Sequence, residues 1–412
     1  MATARSVIWR YYAYRITGAT GFYLPVSILY LRHQGFGLAF IGVAQAAFLF
    51  GMVIAEIPSG YLGDRIGRRA SLAVGNTLRA SAMVGLVLAS SPVAYLVVKV
   101  VWAFGWAFRS GTQNAWLYEL LKQYFDESEY ARIEGRGKMG LLITSAATAI
   151  AGGYLYSIDA ALPFVVNAAL AALGIPILYT LPAVGDGSAD SDDPGGSNDS
   201  VFTVREAVHM LRVQAKRPAV RWLVAYAALF NGLFGMTRTF EQPALDSLGV
   251  SVVGLGVLYA GFKLVSAGAA STVGVLEEKL GIRRTFALLG PLFGVVYASI
   301  ALTPLFLVPM LFLYRSTRVV IAPLRNQYLN DRLGDVGRAT VLSGASMVLS
   351  TASGLANLAG GAIADSLGPV TFLPWAGLTV AGAAGVLWVA TSPVRSSDDS
   401  TRTDPTGAVS TD

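Results

Sequence analysis

Long apolar stretches recur along this 412-residue chain, and they constrain its fold more than any other feature. Twelve stretches of about 20 mostly apolar residues can be placed, and this is the length that a helix needs to cross a bilayer. Hydrophobic residues make up 54% of the chain and charged residues only 14%, whereas a soluble domain carries about 25% charged residues. The sequence therefore predicts an all-α integral membrane protein.

The predicted spans are separated by short polar segments. They lie near residues 10–31, 38–62, 70–91, 93–121, 138–157, 162–181, 219–240, 252–273, 283–303, 305–328, 339–364 and 370–391. Residues 184–200 are small and acidic, as in a disordered linker. The segment that follows has apolar residues at helical spacing beside basic ones, which indicates either an amphipathic helix on the membrane surface or a solvated linker helix.

Basic residues are divided unevenly between the loops. With the N-terminus inside, cytoplasmic segments hold most of the 31 Lys and Arg residues, whereas the external loops hold only Arg32. This asymmetry predicts a multi-pass protein of the cell membrane with both termini in the cytoplasm. The N-terminal residues lack a small-residue cleavage site, so we expect them to lead into the first span rather than to form a signal peptide.

Several chemistries are disfavoured by composition. The chain has no cysteine and two histidines, so disulfides, thiolate metal sites and a histidine-built zinc site are not expected. A nucleotide-binding P-loop and a clustered nucleophile are also missing, which argues against an ATP-driven pump and against an enzyme. The net charge of +6 arises from loop residues and does not indicate nucleic acid. We expect no cofactor and no metal.

A sequence repeat relates the two halves of the chain. GYLGDRIGR begins at Gly60 and GVLEEKLGIR begins at Gly274, and both stand between the second and third spans of their half. The aligned positions pair Gly60, Leu62, Asp64, Arg65 and Gly67 with Gly274, Leu276, Glu278, Lys279 and Gly281. The repeat predicts two six-helix bundles with parallel topology in residues 1–183 and 219–392, a linker at 184–218 and a disordered cytoplasmic tail at 393–412.

The first copy of this repeat resembles the conserved loop of the major facilitator superfamily, Gly-x-Leu-x-Asp-Arg-x-Gly-Arg-Arg. The match includes every defining position, and with the twelve spans it extends the resemblance over nearly the whole chain. The resemblance implies a secondary transporter that works by alternating access and functions as a monomer. It also implies a gating role for this loop and its second copy, at Gly60, Asp64, Arg65, Gly67, Arg68, Arg69, Glu278 and Lys279.

Two further stretches, EIPSG at Glu56 and SGTQNAWLYE at Ser110, are similar to prokaryotic members that are grouped with drug and small-solute efflux carriers. Proton-coupled efflux is therefore the first expectation. Two antiporter features are absent: the proline of the fifth helix, where Gly152-Gly153 stand alone, and the arginine of the fourth helix before Gly105.

Charged residues inside the predicted spans are candidates for the transport site, because each buried charge costs several kcal/mol unless it faces a partner or a cavity. The resemblance implies that helices one, four, seven and ten line the cavity, and the candidates there are Arg15, Arg109, Asn114, Arg238, Arg315 and Arg318. Arginines from both halves predict a positive pocket for an anion. Snorkelling towards the span ends is the alternative for Arg15 and Arg238.

Three glutamates, Glu56, Glu119 and Glu241, lie within spans or at their edges. Glu56 and Glu119 are candidates for proton coupling, and structural pairing with a nearby arginine is the alternative. Three functions thus remain open: proton-coupled efflux of a small solute, uptake or exchange of an organic anion, and a non-transporting membrane receptor. The expected partners are a small-molecule substrate, a coupling proton and the lipid bilayer.

Overall fold

The computed structural model describes residues 4–182, 217–333 and 338–394. In this part the chain forms α-helices and two short 3-10 turns, without a β-strand. The helices are α1 (Ala4–Ile16), α2 (Ser27–His33), α3 (Leu38–Ile66), α4 (Arg68–Leu88), α5 (Pro92–Ser110), α6 (Thr112–Tyr124), α7 (Tyr130–Ile158), α8 (Leu162–Tyr179), α9 (Pro218–Ser247), α10 (Val252–Ala270), α11 (Val273–Leu302), α12 (Leu307–Asn330), α13 (Arg338–Leu367) and α14 (Pro369–Thr391).

Eleven helical segments of the described chain are long and apolar enough to cross a membrane. They correspond to the second to twelfth predicted spans. Helices α5 and α6 together make one of them, because Gly111 between them keeps helical backbone angles of φ −81° and ψ −41°. The predicted class, an all-α membrane protein with about twelve spans, is confirmed.

The first predicted span, 10–31, differs from a continuous helix. Helix α1 ends at Ile16, α2 begins at Ser27, and turns fill the residues between them. Gly18, Gly21 and Pro25 explain the break, since glycine is a weak helix former and proline removes a backbone donor. A Cβ on Gly21 would lie 2.2 Å from the carbonyl oxygen of Ser145, so glycine lets the broken segment pack directly against α7.

The chain divides into two compact units. Unit 1 contains Met1–Asn198, Gly235–Val265 and Gly354–Pro369, and unit 2 contains Asp199–Phe234, Ser266–Ser353 and Val370–Asp412. Helices α9, α10 and α13 each contribute residues to both units, and Pro369 at the start of α14 belongs to unit 1. The predicted division into two six-helix bundles stays a prediction. The predicted linker, 184–218, and the tail, 393–412, lie almost entirely outside the described residues.

The core of unit 1 contains an aromatic cluster where α1 meets α6. The ring of Trp116 lies 6.2 Å from Tyr11 and 6.0 Å from Tyr14, measured between centroids. Leu72 of α4 and Ile133 of α7 pack into the same buried cluster. Burial of these side chains fixes the position of α1 beside the polar residues described below.

The core of unit 2 is also aromatic. The ring centroid of Phe234 lies 5.1 Å from Phe293 of α11 and 5.2 Å from Tyr314 of α12. The ring of Tyr226 lies 5.5 Å from Trp388 of α14. Segments of four helices are thus joined by ring contacts, each of which contributes about 1 kcal/mol beyond its buried area.

Candidate functional site

The break between α1 and α2 exposes backbone groups that a continuous helix would have satisfied. Asn167 of α8 donates a hydrogen bond from Nδ2 to the carbonyl oxygen of Ala19, at 2.9 Å. Thr17 donates from Oγ1 to the carbonyl oxygen of Tyr14, at 2.7 Å. Buried backbone groups need such partners, and these two bonds hold an irregular segment inside unit 1.

Arg109, in the last turn of α5, lies beside this break. A Cβ on Gly18 would lie 2.9 Å from its Nη2, and a Cβ on Gly75 would lie 2.7 Å from its Cγ. Two glycines therefore make the space that the side chain occupies. Tyr14 and Asn76 lie close enough to interact with each other, and Arg109 also acts electrostatically on Tyr14. Arg109 is only 9% exposed.

Arg109 belongs to a set of buried donors that we call the donor cluster, formed by Asn76, Arg79, Arg109 and Gln113. Each has a buried nitrogen without a hydrogen-bond partner in the described part of the chain: Asn76 Nδ2, Arg79 Nη1, Arg109 Nε and Gln113 Nε2. Each of these four unmatched groups is a donor, and the neighbouring hydroxyl of Tyr14, which also lacks a partner among the described residues, cannot accept from all four, so an acceptor is still missing. An anion with several oxygen atoms fits this requirement.

Lys99 adds a cation about 15 Å from Arg109 along α5, at 1.5 Å per residue. It is 4% exposed, and its ammonium nitrogen lies 4.8 Å from the centre of the Trp102 ring. Arg238 of α9 is exposed and lies near enough to interact electrostatically with both Lys99 and Tyr23. Lys99, Arg109 and Arg238 are thus three cations of unit 1 that lie within predicted spans, and among the described residues Lys99 and Arg109 form no salt bridge.

A buried hydrogen-bond network joins α9, α10 and the start of α2. Glu241 is 0% exposed and accepts a hydrogen bond at Oε1 from the hydroxyl of Tyr259. The neighbouring Gln242 donates from Nε2 to the Tyr259 hydroxyl at 3.0 Å and to the carbonyl oxygen of Leu24 at 2.8 Å. Its Oε1 accepts from the backbone nitrogen of Ile28 at 2.9 Å. This network ties α9 and α10 to the first predicted span.

A second polar contact in unit 1 links α13 to α3. The carboxylate of Asp365 accepts a hydrogen bond from the backbone nitrogen of Leu38, at 2.6 Å. This nitrogen belongs to the first turn of α3, where an unpaired donor and the helix dipole both favour an anion. Close approach of the two helices needs Gly42, because a Cβ there would lie 2.3 Å from the carbonyl oxygen of Asn357.

The first copy of the repeat is mainly helical rather than a loop. Helix α3 continues to Ile66, and α4 begins at Arg68, so only Gly67 leaves helical geometry, with φ 84° and ψ 151°. Arg68 forms a salt bridge of 2.7 Å with Glu119 of α6. Arg69 donates to the carbonyl oxygen of Tyr179 at the end of α8 and lies over its ring.

Other residues of the first copy take different positions. The guanidinium of Arg65 lies 4.6 Å from the centre of the Tyr61 ring, and Gly60 is exposed. The side chain of Asp64 lies outside the described residues. The predicted gating role of this segment stays a prediction, while its contacts to α6 and α8 are set by Arg68 and Arg69.

The second copy repeats the backbone geometry of the first. Gly281, aligned with Gly67, has φ 71° and ψ 162° within the range of α11. Glu278 and Lys279 are exposed. The neighbouring Glu277 accepts a hydrogen bond from Gln327 Nε2 of α12, at 2.5 Å. The sequence repeat therefore corresponds to a repeated kink at one glycine.

Substitution of Gly281 with alanine should destabilise the protein, since a φ of 71° with a ψ of 162° is a region adopted essentially by glycine alone. A Cβ at Gly281 would meet no atom within 4 Å, so the cost is conformational, and we expect about 1–3 kcal/mol. Thermal unfolding of purified protein in detergent measures it. Gly274→Ala is the matched control, because that glycine also has open space but no positive φ. Equal melting temperatures for the two variants would contradict the argument.

The remaining predicted site residues are dispersed. Arg15 forms a salt bridge of 2.7 Å with Glu134 of α7, so it has a structural partner inside unit 1. Asn114 of α6 and Glu56 of α3 are exposed. Arg315 and Arg318 of α12 belong to unit 2, whereas Arg15, Arg109 and Arg238 belong to unit 1. One pocket shared by all of them stays a prediction.

Sequence reasoning missed two features of unit 1. It assigned no role to Glu241, although a glutamate inside an apolar stretch is itself a signal of function. It also overlooked Asp365 and Gln242, which act through contacts with residues far away in the sequence. In the described part of the chain, no group of three or more His, Asp or Glu residues is placed to hold a metal ion.

Comparison with known proteins places this architecture in a family. A model of the Major Facilitator Superfamily matches residues 13–342, which is most of the chain. The chain belongs to the Major Facilitator Superfamily. Membership in this superfamily confirms the predicted family, and it places the chain among membrane transporters rather than enzymes.

A curated relative is the uncharacterized MFS-type transporter YxaM of Bacillus subtilis (strain 168), where MFS denotes the same superfamily. It is 25% identical over 255 residues. The match spans 59% of this chain and 59% of that relative's length.

Solved structures of the superfamily share the fold. The nucleoside transporter NupG superposes with a TM-score of 0.73 at 14% identity, covering 94% of this chain and 97% of that chain. A bacterial homolog of the human lysosomal transporter Spinster, in an inward-facing and occupied conformation, has a TM-score of 0.72 at 16% identity, covering 94% and 96%. At these identities the likeness concerns the fold alone.

Proposed function

We propose that this chain is a secondary active transporter that moves a small solute with an anionic group by alternating access. The observation that carries this proposal is the donor cluster, in which four buried side chains each have a nitrogen donor without a hydrogen-bond partner among the described residues. Arg79 and Arg109 are 3% and 9% exposed, and a cation buried in a membrane protein is costly unless an anion compensates it. A carboxylate or phosphate group of the solute would supply that compensation.

The geometry of the cluster supports an oxyanion ligand over a neutral one. A guanidinium presents paired donors that match two oxygen atoms of one anionic group. Asn76 and Arg109 both lie beside Tyr14, next to the break between α1 and α2. The broken segment provides a non-helical backbone inside the span, a feature that transporters use at binding sites.

We further propose that transport is coupled to protons through Glu241. This carboxyl group is fully buried, it accepts a hydrogen bond from Tyr259, and it stands one turn beyond Arg238 in α9. The two glutamates predicted for this role are less suitable, because Glu119 is paired with Arg68 and Glu56 is exposed, and this favours Glu241. Export against an inward proton flow would follow the resemblance to efflux carriers, and uptake or exchange of the anion is the alternative direction.

The repeat segments are proposed to act as the gate. The salt bridge between Arg68 and Glu119 and the contact of Arg69 with Tyr179 join the α3–α4 junction to α6 and α8. Movement of the junction would then be transmitted to the helices around Arg109. We also propose that the chain functions as a monomer in the cell membrane, with both termini in the cytoplasm.

Reconstitution of the purified chain into liposomes tests the proposal. Radiolabelled organic anions and uncharged analogues are offered with and without an inward-acid or outward-acid pH gradient. We expect uptake of at least one anion, a response to the direction of the gradient, and no uptake of its uncharged analogue. Transport of neutral solutes alone would overturn the anion assignment, and solute binding without any transport would favour a receptor.

A further inference from the structure

A pocket at the end of the bundle where α1 and α7 begin is separate from the donor cluster. It has a volume of about 370 Å³ and is lined by Arg5, Ile8, Trp9, Tyr12, Arg132, Ile133 and Arg136. Three arginines thus surround a lining of aromatic and aliphatic side chains. Neither the gate nor the proposed transport path uses these residues.

Two helical stripes produce this lining. Arg5, Trp9 and Tyr12 are spaced four and three residues apart, so they share one face of α1. Arg132 and Arg136 are four residues apart on α7. The helices run side by side in the same direction, because Tyr11 and Arg15 both contact Glu134 and Gly21 packs on Ser145. The two stripes therefore face a common space.

The charge of the pocket is positive and incompletely neutralised. Arg132 forms an ion pair with Glu129. In the part of the chain that the structure describes, Arg5 and Arg136 have no carboxylate within salt-bridge distance. Such a pocket is complementary to a phosphate group, which accepts several hydrogen bonds from guanidinium donors.

The surface beside the pocket is apolar. Along α7 the stripe continues from Arg136 to Met139 and Ile143, which are 57% and 59% exposed. Trp9 is 63% exposed, and tryptophan is typical of the membrane–water interface. The cations, the aromatic ring and the exposed aliphatic side chains therefore follow one another in space. This is the order of the headgroup, the interfacial region and the acyl chain of a phospholipid.

We propose that this pocket binds the headgroup of an anionic phospholipid, with an acyl chain lying along Met139 and Ile143 of α7. The distribution of basic loop residues puts this end of the bundle at the cytoplasmic leaflet, where anionic lipids attract basic side chains. A soluble phosphate compound shares the headgroup chemistry, but it would leave the apolar part of the stripe without a partner.

Native mass spectrometry of the full chain, released from detergent with defined lipids, tests this proposal. The probes are phosphatidylglycerol, phosphatidylcholine and soluble glycerol phosphate. The variant is Arg5→Gln with Arg136→Gln, and the control is Lys122→Gln with Lys138→Gln, which removes the same charge from exposed residues outside the pocket. Arg136→Gln alone serves as a second variant if the double substitution does not fold.

Wild-type protein should retain phosphatidylglycerol in preference to the other two probes. Each arginine near an anionic lipid contributes about five-fold in affinity, so the double variant should bind phosphatidylglycerol roughly 25-fold more weakly and the single variant about five-fold more weakly. The control should bind as the wild type does. Equal binding of phosphatidylcholine, equal binding of glycerol phosphate, or an equal loss in the control would overturn the proposal.

Discussion

Replacement of Arg109 with glutamine is expected to lower transport of the anionic solute by about 100-fold or more. Removal of one partner from a buried charge pair costs about 3–5 kcal/mol, which corresponds to a factor of roughly 100 to 4,000. Arg109 is nearly buried between the broken first span and α4, so solvent cannot replace its guanidinium. Initial rates of anion uptake into liposomes measure the effect.

Two further variants make this result specific. Arg109→Lys keeps the charge but loses the planar pair of donors, so an intermediate rate is expected. Arg32→Gln removes an exposed cation of α2 and should transport as the wild type does. Transport by Arg109→Gln within about two-fold of the wild type, with an unchanged melting temperature, would contradict a role of the donor cluster in binding.

Replacement of Glu241 with glutamine is expected to abolish accumulation driven by a pH gradient while exchange of solute across the membrane continues. Glutamine keeps the size and hydrogen-bonding capacity of the side chain but cannot take up and release a proton. It can still accept from Tyr259, so the network that holds α9 and α10 together is preserved. Gradient-driven uptake and counterflow are measured on the same liposome preparation.

Glu119→Gln is the matched control for this experiment. Glu119 is paired with Arg68 and is about one-third exposed. Its substitution should therefore affect the proposed gate rather than the coupling of transport to protons. We expect Glu119→Gln to change uptake and counterflow by the same factor. Coupled accumulation that survives in Glu241→Gln and disappears in Glu119→Gln would reverse the assignment of the two glutamates.

The family and most of the fold could be predicted from the sequence, because both depend on local signals. Apolar stretches located eleven of the spans, since span length is fixed by bilayer thickness. The repeat aligned Gly67 with Gly281, and both glycines adopt positive φ angles in the structure. Only the continuity of the first span was not predicted, because glycines and Pro25 interrupt the helix at residues 17–26, within a stretch whose hydropathy is that of one span.

The site was less predictable because it depends on contacts distant in sequence. Arg15 was an expected cavity residue, yet it pairs with Glu134, 119 residues away. Asp365 accepts a hydrogen bond from the backbone of Leu38, and Gln242 forms hydrogen bonds with the backbone of Leu24 and Ile28. No sequence pattern predicts pairs of residues that are so far apart along the chain. The sequence shows Arg79 as a charged residue within an apolar span, but it does not predict that Arg79 packs against Gly105.

The central claim is that the donor cluster recognises the anionic group of the solute. The most direct measurement is counterflow in liposomes, in which one carboxylate solute exchanges for itself and its uncharged amide is offered as competitor. We predict that the unlabelled carboxylate competes fully and that the amide is at least 100-fold weaker, with this discrimination lost in Arg109→Gln. Equal competition by the carboxylate and the amide in the wild type would contradict the claim.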